Sequence, residues 1–169
     1  MAFEEVPPEL LAARRRAGKP TTYYVCCNPL RPNTFTFSPP AEAHWLGLYA
    51  AAKGYTGFLR WAYDSFTEDP FFDTQHTTWP AGDCFVVYPG ARSSIRFERL
   101  REGIQDFEKI RILRAAGADL RAVDAALASL SIQKAQTEEV APQVNATLNQ
   151  PREAFIAAGP VSRTNPPCP

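Results

Sequence analysis

The sequence predicts an α/β fold whose strands run parallel with helices crossing between them, and three observations predict it. Strand-like and helix-like segments alternate through short connections, the pattern of βαβ units; the right-handed crossover rule makes each unit a piece of a barrel or of a doubly wound sheet. The segment Cys84-Phe85-Val86-Val87-Tyr88 is apolar at almost every position, as in a strand covered on both faces. The helical segments carry apolar stripes at steps of three or four residues.

Residues 9–17 read as a short helix, with Pro7-Pro8 leading in and Gly18 leading out. Arg14-Arg15-Arg16 fall in its last turn, where cations suit the helix dipole, so the run is a solvated helix end. Residues 23–27 are a strand that Asn28-Pro29 stops. The proline-rich residues 30–40 form an excursion loop, in which Ser38-Pro39 has the form of an N-cap followed by a first-turn proline. The helix it opens spans 41–53 and ends at Gly54; Trp45, Leu48, Tyr49 and Ala52 share one face of it, a stripe to lay against a sheet. Residues 57–63 are the next strand, with Leu59, Trp61 and Tyr63 on one face by alternation.

The connection over 64–83 is about twenty residues without helical period, longer than ordinary loops of ~12–15 residues, and reads as functional. It sets Phe66, Phe71, Phe72, His76 and Trp79 beside Asp64, Glu68, Asp69 and Asp73, with Phe71 and Phe72 expected to pack on the wall beneath. A half-turn, Pro80-Ala81-Gly82-Asp83, then launches the strand 84–88, which Pro89-Gly90 ends. Ser93 or Ser94 can cap the following helix, whose apolar residues are Phe97, Leu100, Ile104, Phe107 and Ile110 and whose end is Gly117. Residues 119–131, with Leu120, Val123, Leu127 and Leu130 on one stripe, and 138–158, interrupted by Pro142 and Pro151, read as outer helices. The chain thus divides into residues 1–117, helices over 118–160 and a disordered tail over 161–169.

Lys plus Arg and Asp plus Glu are 18 each, so no long-range field of one sign gathers nucleic acid or an anionic membrane surface. No apolar stretch approaches the ~18 residues of a membrane span, and residues 1–18 carry charge where a signal peptide has its apolar centre, which leaves localisation open. The cysteines at 26, 27, 84 and 168 form no CxxC pair and have no nearby His cluster, so neither a zinc site nor another cofactor is expected. Cys26 and Cys27, adjacent on a strand, would point to opposite faces and act as small buried hydrophobes rather than as a redox pair.

Taken together, Tyr23-Tyr24-Val25-Cys26-Cys27-Asn28-Pro29, Gly57-Phe58-Leu59-Arg60-Trp61-Ala62-Tyr63, Asp69-Pro70 and residues 79–113 resemble the catalytic domain of glycoside hydrolase family 123. Members of that family cleave N-acetyl-β-galactosaminide linkages from a (β/α)8 TIM-type barrel. The resemblance is to the C-terminal part of the barrel, about three parallel strands with flanking helices. At 169 residues the chain is short of the ~250 of a complete barrel and is expected to be a fragment or truncated relative. The family resemblance implies substrate-assisted chemistry, an exception to the two-carboxylate scheme of most glycosidases. A Glu protonates the leaving oxygen while the adjacent Asp orients the substrate's acetamido group, the nucleophile. No Asp-Glu dipeptide occurs in this sequence, so the chain offers no catalytic residue for that role.

In such barrels the active site lies at the carboxyl ends of the strands. That rule puts Asn28, Tyr63, Asp64, Ser65 and Tyr88, with Arg92, Ser93 and Ser94 at the start of the last helix, on the substrate face. Trp61, mid-strand, shares a face with Tyr63: inward, the pair is a stacking floor for a sugar ring; outward, it is wall packing. The substrate contacts expected are Trp61, Tyr63, Asp64, Asp69, Trp79, Tyr88 and, one turn into its helix, Arg96, with the 64–83 loop as a sugar-binding lid. It sends Asp83, which precedes its strand, to the opposite face, there to cap amides or pair with a base. The favoured reading is the C-terminal portion of a glycoside hydrolase that supplies sugar-contacting walls for an N-acetylhexosamine-containing glycan. The alternatives are a non-catalytic carbohydrate-binding or structural remnant, and an independent glycosidase using Asp64, Glu68 or Asp69. An open partial barrel leaves bare strand edges, so self-association or pairing with a complementing N-terminal barrel segment is expected.

Overall fold

The computed structural model describes residues 6–76 and 78–132, together with Glu153. The second outer helix over 138–158, the tail over 161–169, the Asn145 sequon and Cys168 lie outside the described residues. Helix α1 (Pro8–Arg16), strand β1 (Thr22–Val25), helix α2 (Pro40–Ala52), strand β2 (Gly57–Arg60), helix α3 (Ile95–Ala115) and helix α4 (Arg121–Leu127) follow in order. β1 and β2 pair in parallel with Thr22 opposite Gly57 and Val25 opposite Arg60, so β1-α2-β2 is one βαβ unit.

Local chemistry sets the helix ends. α1 begins with Pro8 at its first position and closes before Gly18, whose φ of 65° an L side chain rarely adopts. α2 begins at Pro40, one residue before the range read from the sequence, and its N-cap is Pro39 rather than Ser38, whose Oγ accepts from Phe35 N inside the loop. α3 is capped by Ser94, whose Oγ accepts from Phe97 N, and Gly117 at φ 72° follows its C-cap Ala116.

The core surrounds α2. Every residue from Ala41 to Ala51 is buried, so the helix has no solvent face and the single stripe read from the sequence is corrected. Its Trp45, Tyr49 and the neighbouring Tyr23, Tyr55 and Phe58 form an aromatic cluster that joins the helix to the sheet. Tyr23 Oη donates to Leu46 O at 2.5 Å, and burial pushes that phenol's pKa well up. On the far side α2 meets α3 backbone to backbone. A Cβ on Gly47 would lie 2.3 Å from the Gly103 carbonyl carbon, and one on Gly103 would lie 2.4 Å from His44 O. Beside that contact, fully buried His44 donates from Nε2 to Asp106 Oδ2 at 2.8 Å, and Lys109 Nζ reaches Asp106 Oδ1 at 2.7 Å. α4 adds Val123 and Leu127 to the same core, with Leu120, Leu130 and Ile132 flanking it.

The third parallel strand is not formed. Residues 84–86 are buried as expected, but they make isolated antiparallel contacts: Asp64 bridges Phe85, and Val86 N donates to Tyr63 O at 2.9 Å. Two of the segment's carbonyls are taken by side chains, Val86 O by Ser94 Oγ at 2.5 Å and Phe85 O by Arg96 Nη1 at 2.8 Å, while Cys84 O accepts from Ser65 N. A short apolar run signals burial, which side-chain clamps provide here without a ladder. The strands are also shorter than read: Cys26 and Cys27 follow β1, and Trp61 and Tyr63 follow β2.

Two substitutions test this core. Gly103→Ala is expected to cost about 2–3 kcal/mol by overpacking, because the atoms it meets are backbone of α2; thermal or urea unfolding reads the loss, and an unchanged midpoint contradicts it. For Asp106, burial alone would raise the carboxyl, but hydrogen bonds from His44 and Lys109 and their charges outweigh it and hold the pKa below its ordinary 3.8. A carboxylate with a depressed folded pKa contributes stability above its unfolded value and loses it as pH falls through the folded one. Stability should therefore fall as the pH is lowered below about 4, and Asp106→Asn should be less stable at neutral pH with a shallower acid limb.

Candidate functional site

The carboxyl ends of β1 and β2 open onto a polar hub that the chain builds from three loops. Asn33, fully buried, donates from Nδ2 to Cys26 O at 2.6 Å and Pro29 O at 2.8 Å, closing the turn after β1. Its backbone N–H donates to Glu42 Oε2 at 2.9 Å, which ties the turn to α2. Burial raises the Glu42 pKa, opposed by that hydrogen bond and by Arg31. Arg60, the last residue of β2, donates from Nη1 to Asn33 Oδ1 at 3.2 Å and from Nη2 to Asp83 Oδ1 at 3.0 Å and Asp83 O at 2.5 Å. Burial pulls this guanidinium's pKa below its usual value, with Asp83 opposing the shift.

Asp83 is fully buried, and its second oxygen accepts from Trp61 Nε1 at 3.2 Å. It does pair with a base, as the sequence suggests, but at the carboxyl end of β2 and not on the opposite face. The reason is the missing third strand: without the expected direction of 84–88, residue 83 folds under Trp61. Trp61 and Trp79 lie over the hub with ring centroids 5.6 Å apart and a 53° interplanar angle, 41% and 40% exposed.

Beside this shelf a cleft of about 320 Å³ is lined by Tyr63, Asp64, Phe66, Tyr88, Ser93 and Phe97 among others. Tyr63 meets Phe97 edge-on at 5.7 Å, and Tyr88 stacks on Phe71 at 5.3 Å with Arg92 on the other contact of that ring at 5.2 Å. Gly90 and Ala91 turn its rim at φ 75° and 58°, between the paired backbones of Tyr88 and Arg92. The cleft therefore gathers Tyr63, Asp64 and Tyr88, while Trp61 and Trp79 form the adjoining shelf. Asp69 sits apart, exposed, its carbonyl accepting from Phe72 and Asp73 N–H in a turn of the loop. Phe71 stacks on Tyr88 but stays 51% exposed and Phe72 is 91% exposed, so neither is buried on a wall as the sequence suggests.

Arg96 corrects the sequence reading most sharply. It is 4% exposed, and its Nη1 donates to Thr34 O, Gly82 O and Phe85 O at 2.7, 2.8 and 2.8 Å. It binds three loops together instead of reaching toward the barrel mouth. Gly82 is required beneath it, since a Cβ there would lie 2.6 Å from Arg96 Nη1 at a φ of 79°. Asn33 and Arg60 were not singled out from the sequence, because partners 27 residues apart leave no periodic signal. Among the described residues, no group of three or more His, Cys, Asp or Glu side chains is placed to hold a metal. A second cleft, of about 400 Å³, lies at the amino end of β2 around Thr56, Tyr55 and Arg15; its Arg111 and Arg114 are paired with Glu108 and Asp124.

The family model for the glycoside hydrolase 123 catalytic domain matches residues 2–113. Among solved structures, similarity extends to a family 123 glycoside hydrolase from Clostridium perfringens, studied for the details of glycolipid glycan hydrolysis. That likeness has a TM-score of 0.69 and 26% identity, and it covers 89% of this chain and 31% of that one. The chain thus spans under a third of that relative's length. No curated protein matches it.

The hub predicts its own weak point. Asp83→Asn leaves the Arg60 guanidinium, 8% exposed, without its carboxylate and should cost about 3–5 kcal/mol in urea unfolding. Trp61→Phe, which loses the indole donor and part of the ring but keeps the ion pair, should cost under about 1.5 kcal/mol. Equal losses in the two variants would show that the ion pair does not hold this face.

Proposed function

Since the chain belongs to glycoside hydrolase family 123, we propose that it supplies the sugar-contacting C-terminal wall of a (β/α)8 catalytic domain that cleaves N-acetylhexosaminide linkages, N-acetyl-β-galactosaminides first among them. The observation that carries the reading is the half-exposed Trp61–Trp79 shelf, anchored on buried Asp83 at the carboxyl ends of two parallel strands. That end of a parallel sheet is where such folds place their ligands. The apolar C–H face of a sugar ring stacks on an aromatic shelf of this kind. Tyr63, Asp64 and Tyr88 border the adjoining cleft and offer hydroxyl and carboxylate partners to the sugar's polar edge. Asp69 contributes from the loop, and Arg96 holds the loops that carry these groups.

The chemistry assigned to the whole domain is attack by the substrate's own acetamido oxygen, with an Asp orienting that group and a Glu protonating the leaving oxygen. Residues of this chain bind and orient the sugar. No Asp-Glu dipeptide in that order stands in the sequence, Glu68-Asp69 having the reverse order, so the proposal places the proton donor in another segment, which pairs along the open edges of β1 and β2. The same observation favours a second reading, a carbohydrate-binding or structural remnant without catalysis.

Calorimetric titration of the purified chain with N-acetylgalactosamine oligosaccharides should show saturable binding, with aryl N-acetyl-β-galactosaminides left unhydrolysed. Trp61→Ala should weaken binding at least about tenfold, equivalent to ~1.4 kcal/mol. Unaided turnover, or binding that Trp61→Ala leaves intact, contradicts the proposal. Turnover restored by adding a segment bearing the Asp-Glu pair favours the first reading, and binding that remains without turnover favours the second.

A further inference from the structure

Cys26 and Cys27 are neither on a strand nor on opposite faces. They occupy the turn after β1, both half-buried, with their Sγ atoms 3.7 Å apart. The backbone around them is pinned: Cys26 N donates to Asn28 O at 3.2 Å, and Cys26 O accepts from Asn33 Nδ2. The two thiols therefore face each other on a fixed turn, within reach of a bond of about 2.05 Å after rotation of the side chains.

We infer that Cys26 and Cys27 form a reversible vicinal disulfide, made by exchange with a low-molecular-weight disulfide of the glutathione type. The site is independent of which glycan the domain takes. In the first step the Cys26 thiolate attacks one sulfur of the small disulfide, forming a mixed disulfide and releasing a thiolate that takes up the proton Cys26 lost. The Cys27 thiolate then attacks Cys26 Sγ, closing the ring and expelling the second small thiol. Two protein thiols are oxidised and one small disulfide is reduced to two thiols.

The microenvironment assigns the roles. Burial by itself would raise the Cys26 thiol, but hydrogen bonds from the Tyr24 phenol, the Asn28 backbone and the Cys27 thiol hold it below its ordinary value, whereas burial and Cys26 push Cys27 up. Thiolate character makes Cys26 the attacking group. Reversibility follows from adjacency. Neighbouring Cα atoms stand about 3.8 Å apart, shorter than the usual disulfide range of about 4.4–6.8 Å, so the ring is strained and easily reduced.

The test is mass spectrometry of the whole chain after incubation with oxidised glutathione, followed by alkylation in denaturant. The expected product has lost two hydrogens, keeps two of its four thiols for alkylation, carries the link within the peptide holding residues 26 and 27, and is restored by dithiothreitol. Cys26→Ser should instead retain one glutathione at Cys27; Cys27→Ser, with the glutathione on Cys26, serves if the first variant does not fold. Four alkylated thiols in the treated wild type, or a stable glutathione adduct at Cys26 or Cys27 without loss of two hydrogens, would overturn the inference.

Discussion

The backbone contact between α2 and α3 is the constraint from which the rest of the structure follows. Two helices approach this closely only where both lack a Cβ, and Gly47 and Gly103 provide that point. The approach buries α2 on every side, and burial forces its polar residues to find protein partners. His44 Nε2 meets Asp106 on α3, and Glu42 Oε2 accepts from the backbone of Asn33. From Glu42 the chain of contacts runs outward through Asn33 to Arg60, then to Asp83 and the ring nitrogen of Trp61. A core packing decision thereby reaches the aromatic shelf that we propose contacts sugar.

That surface is held by charge and hydrogen bonding where a sheet would ordinarily hold it. Only two strands pair among the described residues, so the loops at their carboxyl ends have no ladder to align them. Arg96 replaces it by collecting carbonyls from the loops at Thr34, Gly82 and Phe85, and Arg60 does the same for Asn33 and Asp83. Guanidinium groups suit the task because one planar group presents five donors in fixed directions. Their burial removes them from direct recognition and leaves the aromatic rings and the Asp64 carboxylate facing outward.

Local signals in the sequence were readable because local chemistry decides them. Proline at the start of α1, Ser94 at the start of α3 and Gly117 after its end each mark a backbone requirement of a single turn. The stripe of Leu120, Val123, Leu127 and Leu130 identified a helix face, although α4 itself is shorter than the stripe. The run at 84–88 announced burial and was read as a strand, since an apolar segment of that length cannot show whether a ladder or side chains satisfy its carbonyls. Asp83 was placed on the wrong side for the same reason. Asn33, Arg60 and the facing thiols of Cys26 and Cys27 depend on contacts distant in sequence or on where a strand stops, which periodicity does not encode.

Nitrogen-15 NMR of the indole groups during titration with an N-acetylhexosamine oligosaccharide tests the central claim most directly, because the chain's three tryptophans divide cleanly between core and shelf. The account predicts that the Trp61 and Trp79 ring resonances move together and saturate while Trp45, 3% exposed inside the core, stays fixed. Both shelf rings unmoved at a saturating concentration of the oligosaccharide would contradict it.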